Sequence, residues 1–136
     1  MELSNQVNPT GEKLKSLLSK LPQDVEVTML NILRFNGTVA SEGMSGLDLY
    51  KRYSKNVVKH LEAASGKLIW KGEVLETVVG SEEKPPHMVL LVTYPTVSHF
   101  LNMIANPEYQ KAAQDRSLAL EYGGLVAMKS DHSHLG

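Results

Sequence analysis

The apolar positions of this chain change period from segment to segment, and each period predicts an element. Leu14, Leu17, Leu18 and Leu21 recur at helical spacing behind Thr10, a residue suited to cap a helix, and Pro22 ends the run. Val25 to Phe35 is rich in β-formers and alternates at its start, but by Leu30 both faces have become apolar. Asn36 to Ser45 is a loop punctuated by Gly37 and Gly43. Ser45 then opens the longest amphipathic helix, in which Leu47, Tyr50, Val57, Val58, Leu61 and Ala64 form a stripe with Ser54 inside it. Lys51, Arg52, Lys55, Lys59 and Glu62 fall on the other side, and Gly66 sits where a left-handed residue would end the helix.

Lys67 to Val79 reads as a long strand bent at Gly72, and the polar Gly80–Pro86 segment turns the chain into a further strand at His87–Tyr94. Thr96 caps a helix over Val97–Ala105. Asn106 caps a restart with Pro107 at its first position, which runs to about Leu120. Gly123-Gly124 leads into a last strand, Leu125–Met128. The residues 1–9 and 130–136 read as polar, flexible tails flanking a single domain over 1–136.

The resulting order is β-α-β-β-α-β after an extra N-terminal helix, an α+β, ferredoxin-like arrangement with a four-stranded antiparallel sheet and both main helices on one face. The first and third strands are apolar on both faces: Leu30 and Ile32 oppose Met29 and Leu33, and Met88, Leu90 and Val92 oppose Val89 and Leu91. Two helices cover one face only. The second face calls for another chain, which predicts a homodimer through the sheet face; the competing expectation is that the N-terminal helix folds across it.

Composition narrows the function classes. A 136-residue chain with formal net charge −1 gives no global electrostatic reason to bind nucleic acid or an anionic membrane. No apolar run reaches the length of a membrane span, and the first residues lack a basic region followed by an apolar one. Zero cysteines remove disulfides, thiol catalysis and cysteine-held metals, and fit a reducing cytoplasm. The row Lys51, Arg52, Lys55 and Lys59 reads as a solvated helix face, since the third strand lacks the aromatics of an RNA-binding sheet. No phosphate loop, nucleophile elbow or zinc-helix motif occurs, and no cofactor is expected.

Several stretches carry a family resemblance: Met29–Phe35, Tyr50–Tyr53, Gly66–Gly72, and above all Leu91-Val92-Thr93-Tyr94-Pro95-Thr96 with Phe100–Gln110 and Arg116. Together they resemble the bacterial domain of unknown function family 1330, within the dimeric α/β-barrel superfamily, over roughly Thr10 to Met128. The resemblance implies a ferredoxin-like protomer that pairs through its sheets and holds a cleft between sheet and helices. Superfamily relatives include cofactor-free monooxygenases, isomerases, lyases and haem enzymes, while the family itself has no established chemistry. Where many members carry an aromatic pair before the restart, this chain has Met103-Ile104.

Four residues stand out as candidate ligand contacts. Asn31 interrupts an apolar strand and must find hydrogen-bond partners. Tyr53 lies at the margin of the helical stripe, with a hydroxyl able to reach a cleft. Trp70 is the lone tryptophan and fits either a core, a dimer interface or a pocket wall. Arg116 lies seven residues beyond Tyr109 on one helix face, where it pairs with Asp115 or Glu121 or offers a fork to an anion. His87 alone is weak as a base or a haem ligand, His60 and His99 read as surface, and Asp131, His132 and His134 share a metal only if the tail is ordered. The leading expectation is a homodimeric, cofactor-free enzyme acting on a small organic molecule, with the Asn36–Ser45 loop as a lid. The alternative is a non-catalytic binding or assembly protein.

Overall fold

A computed structural model describes residues 7–21 and 23–130. The expected tails at 1–6 and 131–136, the Asp131/His132/His134 group and the Pro22 stop therefore lie outside the described residues. The chain runs α1 (Gly11–Lys20), β1 (Val27–Phe35), β2 (Thr38–Val39), β3 (Met44–Ser45), α2 (Gly46–Ala63), β4 (Lys67–Glu73), β5 (Met88–Tyr94), α3 (Val97–Ala105), α4 (Pro107–Ala119) and β6 (Leu120–Lys129). Four strands form one antiparallel sheet in the order β4-β5-β1-β6, the ferredoxin-like topology.

The helix boundaries follow from capping chemistry. Thr10, Ser45, Thr96 and Asn106 each accept a backbone N–H of the turn they open, from Lys13, Asp48, His99 and Glu108 respectively. The end of α2 differs from the expectation. Ser65, not Gly66, takes the left-handed conformation (φ 55°), and a Schellman pair closes the helix: Gly66 N–H donates to Leu61 O at 2.8 Å and Ser65 N–H to Glu62 O at 3.0 Å.

The buried stripe of α2 is also rotated from the expected one. Leu49 is fully buried, and Tyr50, Tyr53 and His60 join it, while Leu47 and Val58 stand 38% and 48% exposed. Tyr50, Val57, Leu61 and Ala64 of the expected stripe do pack on the core, and the shift brings in Leu49, Tyr53 and His60 where Leu47 and Val58 were expected. The Asn36–Ser45 loop holds the short β2–β3 hairpin, with Gly43 at φ 64°. β4 ends at Glu73 rather than Val79, and its irregularity falls between Leu68 and Trp70 rather than at Gly72. Gly72 instead leaves room for the Trp70 indole, which would meet a Cβ there at 2.2 Å. β6 begins at Leu120, directly after α4, and takes Gly123 and Gly124 into the strand.

Register sorts the two sheet faces. Val27, Met29 and Leu33 of β1, with 0–1% exposure, share a face with Leu90 and Tyr94 of β5 and pack against Leu49, Tyr50, Val97, Phe100 and Tyr109 of the helices. α1 joins this same core through Leu14, Leu17 and Leu21, which ends the expectation that it folds across the far face. On that far face lie Leu30, Ile32, Val89, Leu91, Val126 and Met128, half-buried by their neighbours in the sheet and outside the core cluster.

Leu49→Ala is expected to lower stability in urea unfolding by about 2–5 kcal/mol, and Leu47→Ala by less than about 1 kcal/mol. Equal losses would show that the helix buries the other stripe.

Candidate small-molecule site

On the helix side of the sheet, α2 and α4 bring a tyrosine cluster against a buried arginine. Tyr50 and Tyr53 sit one turn apart on α2 with ring centroids 5.4 Å apart, and Tyr53 lies 6.5 Å from Tyr109 of α4. The Tyr53 and Tyr109 hydroxyls hydrogen-bond at 3.2 Å, and Phe35 at the end of β1 packs 5.3 Å from Tyr50. Arg116, two turns beyond Tyr109, is only 8% exposed. Its guanidinium lies against Gly123 of β6, where a Cβ would come within 3.0 Å of Nη2, so a glycine is what admits it.

The two helices are tied on the outside as well. Arg52 holds Asp115 with two parallel bonds of 2.7 and 2.8 Å, which keeps the Asp115 carboxyl below its ordinary range. Glu121 is held below its range by Arg34, its hydrogen-bond partner, and by Lys84 at 3.4 Å. Both acids expected to pair with Arg116 are thus engaged elsewhere. Arg116 instead donates through Nη1 to the Val7 carbonyl at 2.6 Å, and among the described residues no carboxylate pairs with it. Its place in the last turn of α4 adds the favourable field of the helix C-terminus.

Burial sets the protonation of the phenols. It pushes Tyr50 up to about 12, with Arg116 pulling partly in the other direction. Tyr53 is raised well above its ordinary value by burial, and the Tyr109 hydroxyl adds to the shift. Both are neutral hydrogen-bond donors at neutral pH. Tyr53 spends its hydroxyl on Tyr109, whereas Tyr50 has no hydrogen-bond partner among the described residues. Among the described residues no fully buried side-chain polar atom is without a partner.

The other expected contacts fall elsewhere. Asn31 shares the helix side of the sheet, opposite Leu90 and Leu125, and donates to the Met29 carbonyl of its own strand at 3.3 Å. Trp70 pairs with Leu91 on the far face, 54% exposed, and so stands away from Tyr53 and Arg116. His60, expected at the surface, is buried edge-on to Tyr109 with ring centroids 6.1 Å apart. It lines a depression of about 270 Å³ between α2 and α4, with Asn56, Lys59, Glu108, Lys111, Ala112 and Asp115. A second depression of similar size lies beside the 74–87 connection, bounded by Val74, Thr77, Pro86 and His87. His87 itself accepts the Phe35 N–H through Nδ1, and partial burial and Arg34 lower its pKa. Tyr50 was legible only as part of a stripe; its spacing of three from Tyr53 was the available signal.

Because the phenols are raised in the folded state, unfolding releases protons only above the ordinary phenol value near 10. Their contribution to stability is complete below that pH and is lost as pH rises through the folded values. Absorbance at 295 nm is therefore expected to rise together with loss of circular dichroism above about pH 10. A smooth tyrosine titration of the still-folded chain would contradict the burial described.

The comparisons with known proteins agree with this architecture. A crystal structure of a protein of unknown function from Rhodopseudomonas palustris superposes with TM-score 0.88 at 25% identity, covering 94% of this chain and 98% of that one. A hydroxynitrile lyase from Passiflora edulis shares the fold at TM-score 0.59 and 14% identity, over 81% of this chain and 97% of that one. A dimeric protein of unknown function and ferredoxin-like fold from Bacteroides fragilis does so at TM-score 0.53 and 11% identity, over 80% and 100%. No match was found among curated proteins. The family model described as "Domain of unknown function (DUF1330)" matches residues 39–129, from the β2–β3 hairpin through β6, and the chain belongs to that family.

Proposed function

We propose that the chain works as a cytoplasmic homodimer with a small-molecule site in each protomer, built on Tyr50, Tyr53, Tyr109 and Arg116, and that it acts there as a cofactor-free enzyme. The observation that carries this reading is the burial of a guanidinium among phenols in an otherwise apolar core. Such a group costs several kcal/mol to bury without a counter-charge, a cost that a purely structural core avoids by using an aliphatic residue. Neutral phenols beside a cation donate to an oxygen on which negative charge develops. The Tyr53–Tyr109 bond offers a path for a proton between the two helices. Asn31, on the same side of the sheet, supplies a further amide.

The dimer rests on the far face of the sheet. Leu30, Ile32, Val89, Leu91, Val126 and Met128 are left uncovered by α1, and Trp70 and Ile69 extend the patch at 54% exposure each. Removing such surface from water is worth about 25 cal/mol per Å². In this reading Trp70 belongs to the subunit face, where two sheets meet as in a dimeric α/β barrel. In this reading the β2–β3 hairpin, whose Glu42 lies 3.5 Å from Arg52 of α2, serves as a lid. One observation favours the non-catalytic alternative: Tyr53 and Tyr109 satisfy each other, and neither depression includes them.

Light scattering is expected to report twice the 15.0 kDa of one chain at micromolar concentration, and Ile32→Glu to reduce it to the monomer. A monomeric wild type would defeat the dimer. In a thermal-shift screen of metabolites, a ligand at 100 times its dissociation constant should stabilise the chain by about 2.7 kcal/mol, and Tyr53→Phe should weaken the response. Silence across a broad panel would favour the assembly role.

A further inference from the structure

We infer that the site takes a small organic monocarboxylate, with the ligand carboxylate seated on Arg116 in place of the Val7 carbonyl; the inference rests on the small-molecule reading above and names its ligand class. Four observations converge on it. Arg116 is nine-tenths buried, and its acceptor among the described residues is a neutral backbone oxygen. Its sequence neighbours Asp115 and Glu121 are committed to Arg52 and to Arg34 with Lys84. Tyr50, whose neutral hydroxyl has no hydrogen-bond partner among the described residues, packs on Tyr53 and lies close enough to Arg116 for the guanidinium to act on its ionisation. Gly123 lets the guanidinium of Arg116 pack directly on the backbone of β6, beside Leu120.

The charge count selects the ligand. One guanidinium compensates one negative charge, and its planar fork matches the two oxygens of a carboxylate. A dianion would leave one charge uncompensated beside neutral phenols, which burial penalises. The mutually tilted rings of Phe35, Tyr50 and Tyr53 give an aromatic wall, so an aromatic or unsaturated body fits better than a polar one. Val7 and Asn8 form the strap over this place. The Val7 carbonyl accepts from Arg116, and the Asn8 side-chain oxygen accepts from Ser117 Oγ at 3.1 Å. A carboxylate makes the stronger, charge-assisted bond and displaces the carbonyl.

Calorimetric titration of the full chain with benzoate and with benzamide, its neutral counterpart, tests the inference. Benzoate is expected to bind at least about tenfold tighter than benzamide, the difference a charge-assisted pair makes. Arg116→Gln should lose that preference, Tyr50→Phe should weaken benzoate by about three- to tenfold, and Ser117→Ala, which loosens the strap, should strengthen it. Arg116→Lys keeps the charge and decides the matter if the glutamine variant does not fold; it should still lose severalfold in affinity because the fork is gone. Equal affinity for benzoate and benzamide, or wild-type affinity in Arg116→Lys, overturns the inference. If neutral metabolites stabilise the chain while carboxylates do not, the anion assignment falls and the small-molecule reading stands. If nothing binds, both fall.

Discussion

β1 is a central strand with apolar side chains on both faces, and the chain has helices enough for one of them. The rest of the architecture depends on that constraint. Val27, Met29 and Leu33 anchor the helix-side core, which α2 joins through Leu49, Tyr50 and Tyr53. Because β5 and β6 flank β1 in regular antiparallel register, their side chains sort onto the same two faces without exception between Val27 and Leu33. The core is therefore one-sided, and Tyr50, Tyr53, Tyr109 and Arg116 meet between the sheet and the helices. The far face is a surface whose composition suits an interior.

Much of this was legible from residues alone, and the reasons are local. Thr10, Ser45, Thr96 and Asn106 each combine a capping side chain with a following apolar period, so the helix starts fall where the spacing places them. The two-faced character of β1 and β5 is visible because both parities are apolar. What escaped were choices made by tertiary contact. Leu47 and Leu49 are both leucines near the start of one helix, and only the position of the sheet decides which one is buried. Ser65 takes a left-handed turn that Gly66 was better suited to on propensity, because Gly66 is needed one residue later, against Leu61 and Tyr94. β4 stops short of Val79 because its hydrogen-bonding partner, β5, begins at Met88 opposite Glu73.

The candidate site was half legible. Arg116 and Tyr109 share a helix face by simple spacing, and Tyr53 stood at the edge of its stripe. Their meeting across α2 and α4 depends on the antiparallel docking of two helices far apart in sequence, which no local signal encodes. The same holds for the fate of Asp115 and Glu121. Each is a plausible local partner for Arg116, yet each points away to a cation on another element. Asn31 and Trp70 illustrate the opposite limit: a strand assigns side chains to faces by parity, and a bulge such as the one near Leu68 and Trp70 changes the parity where it occurs.

Trp70 lies over Gly72 on the uncovered face, and it is the chain's one tryptophan. The molecule thus carries a single indole, selectively excitable over its five tyrosines, positioned on the uncovered face and on the opposite side of the sheet from Tyr50, Tyr53, Tyr109 and Arg116. Its emission maximum reads hydration of that face with little interference from events among the helices. Covering the sheet shifts the signal toward shorter wavelengths, and changes confined to the tyrosine cluster leave it largely unmoved. Assembly and occupancy of the interior are optically separable in the native, unlabelled protein.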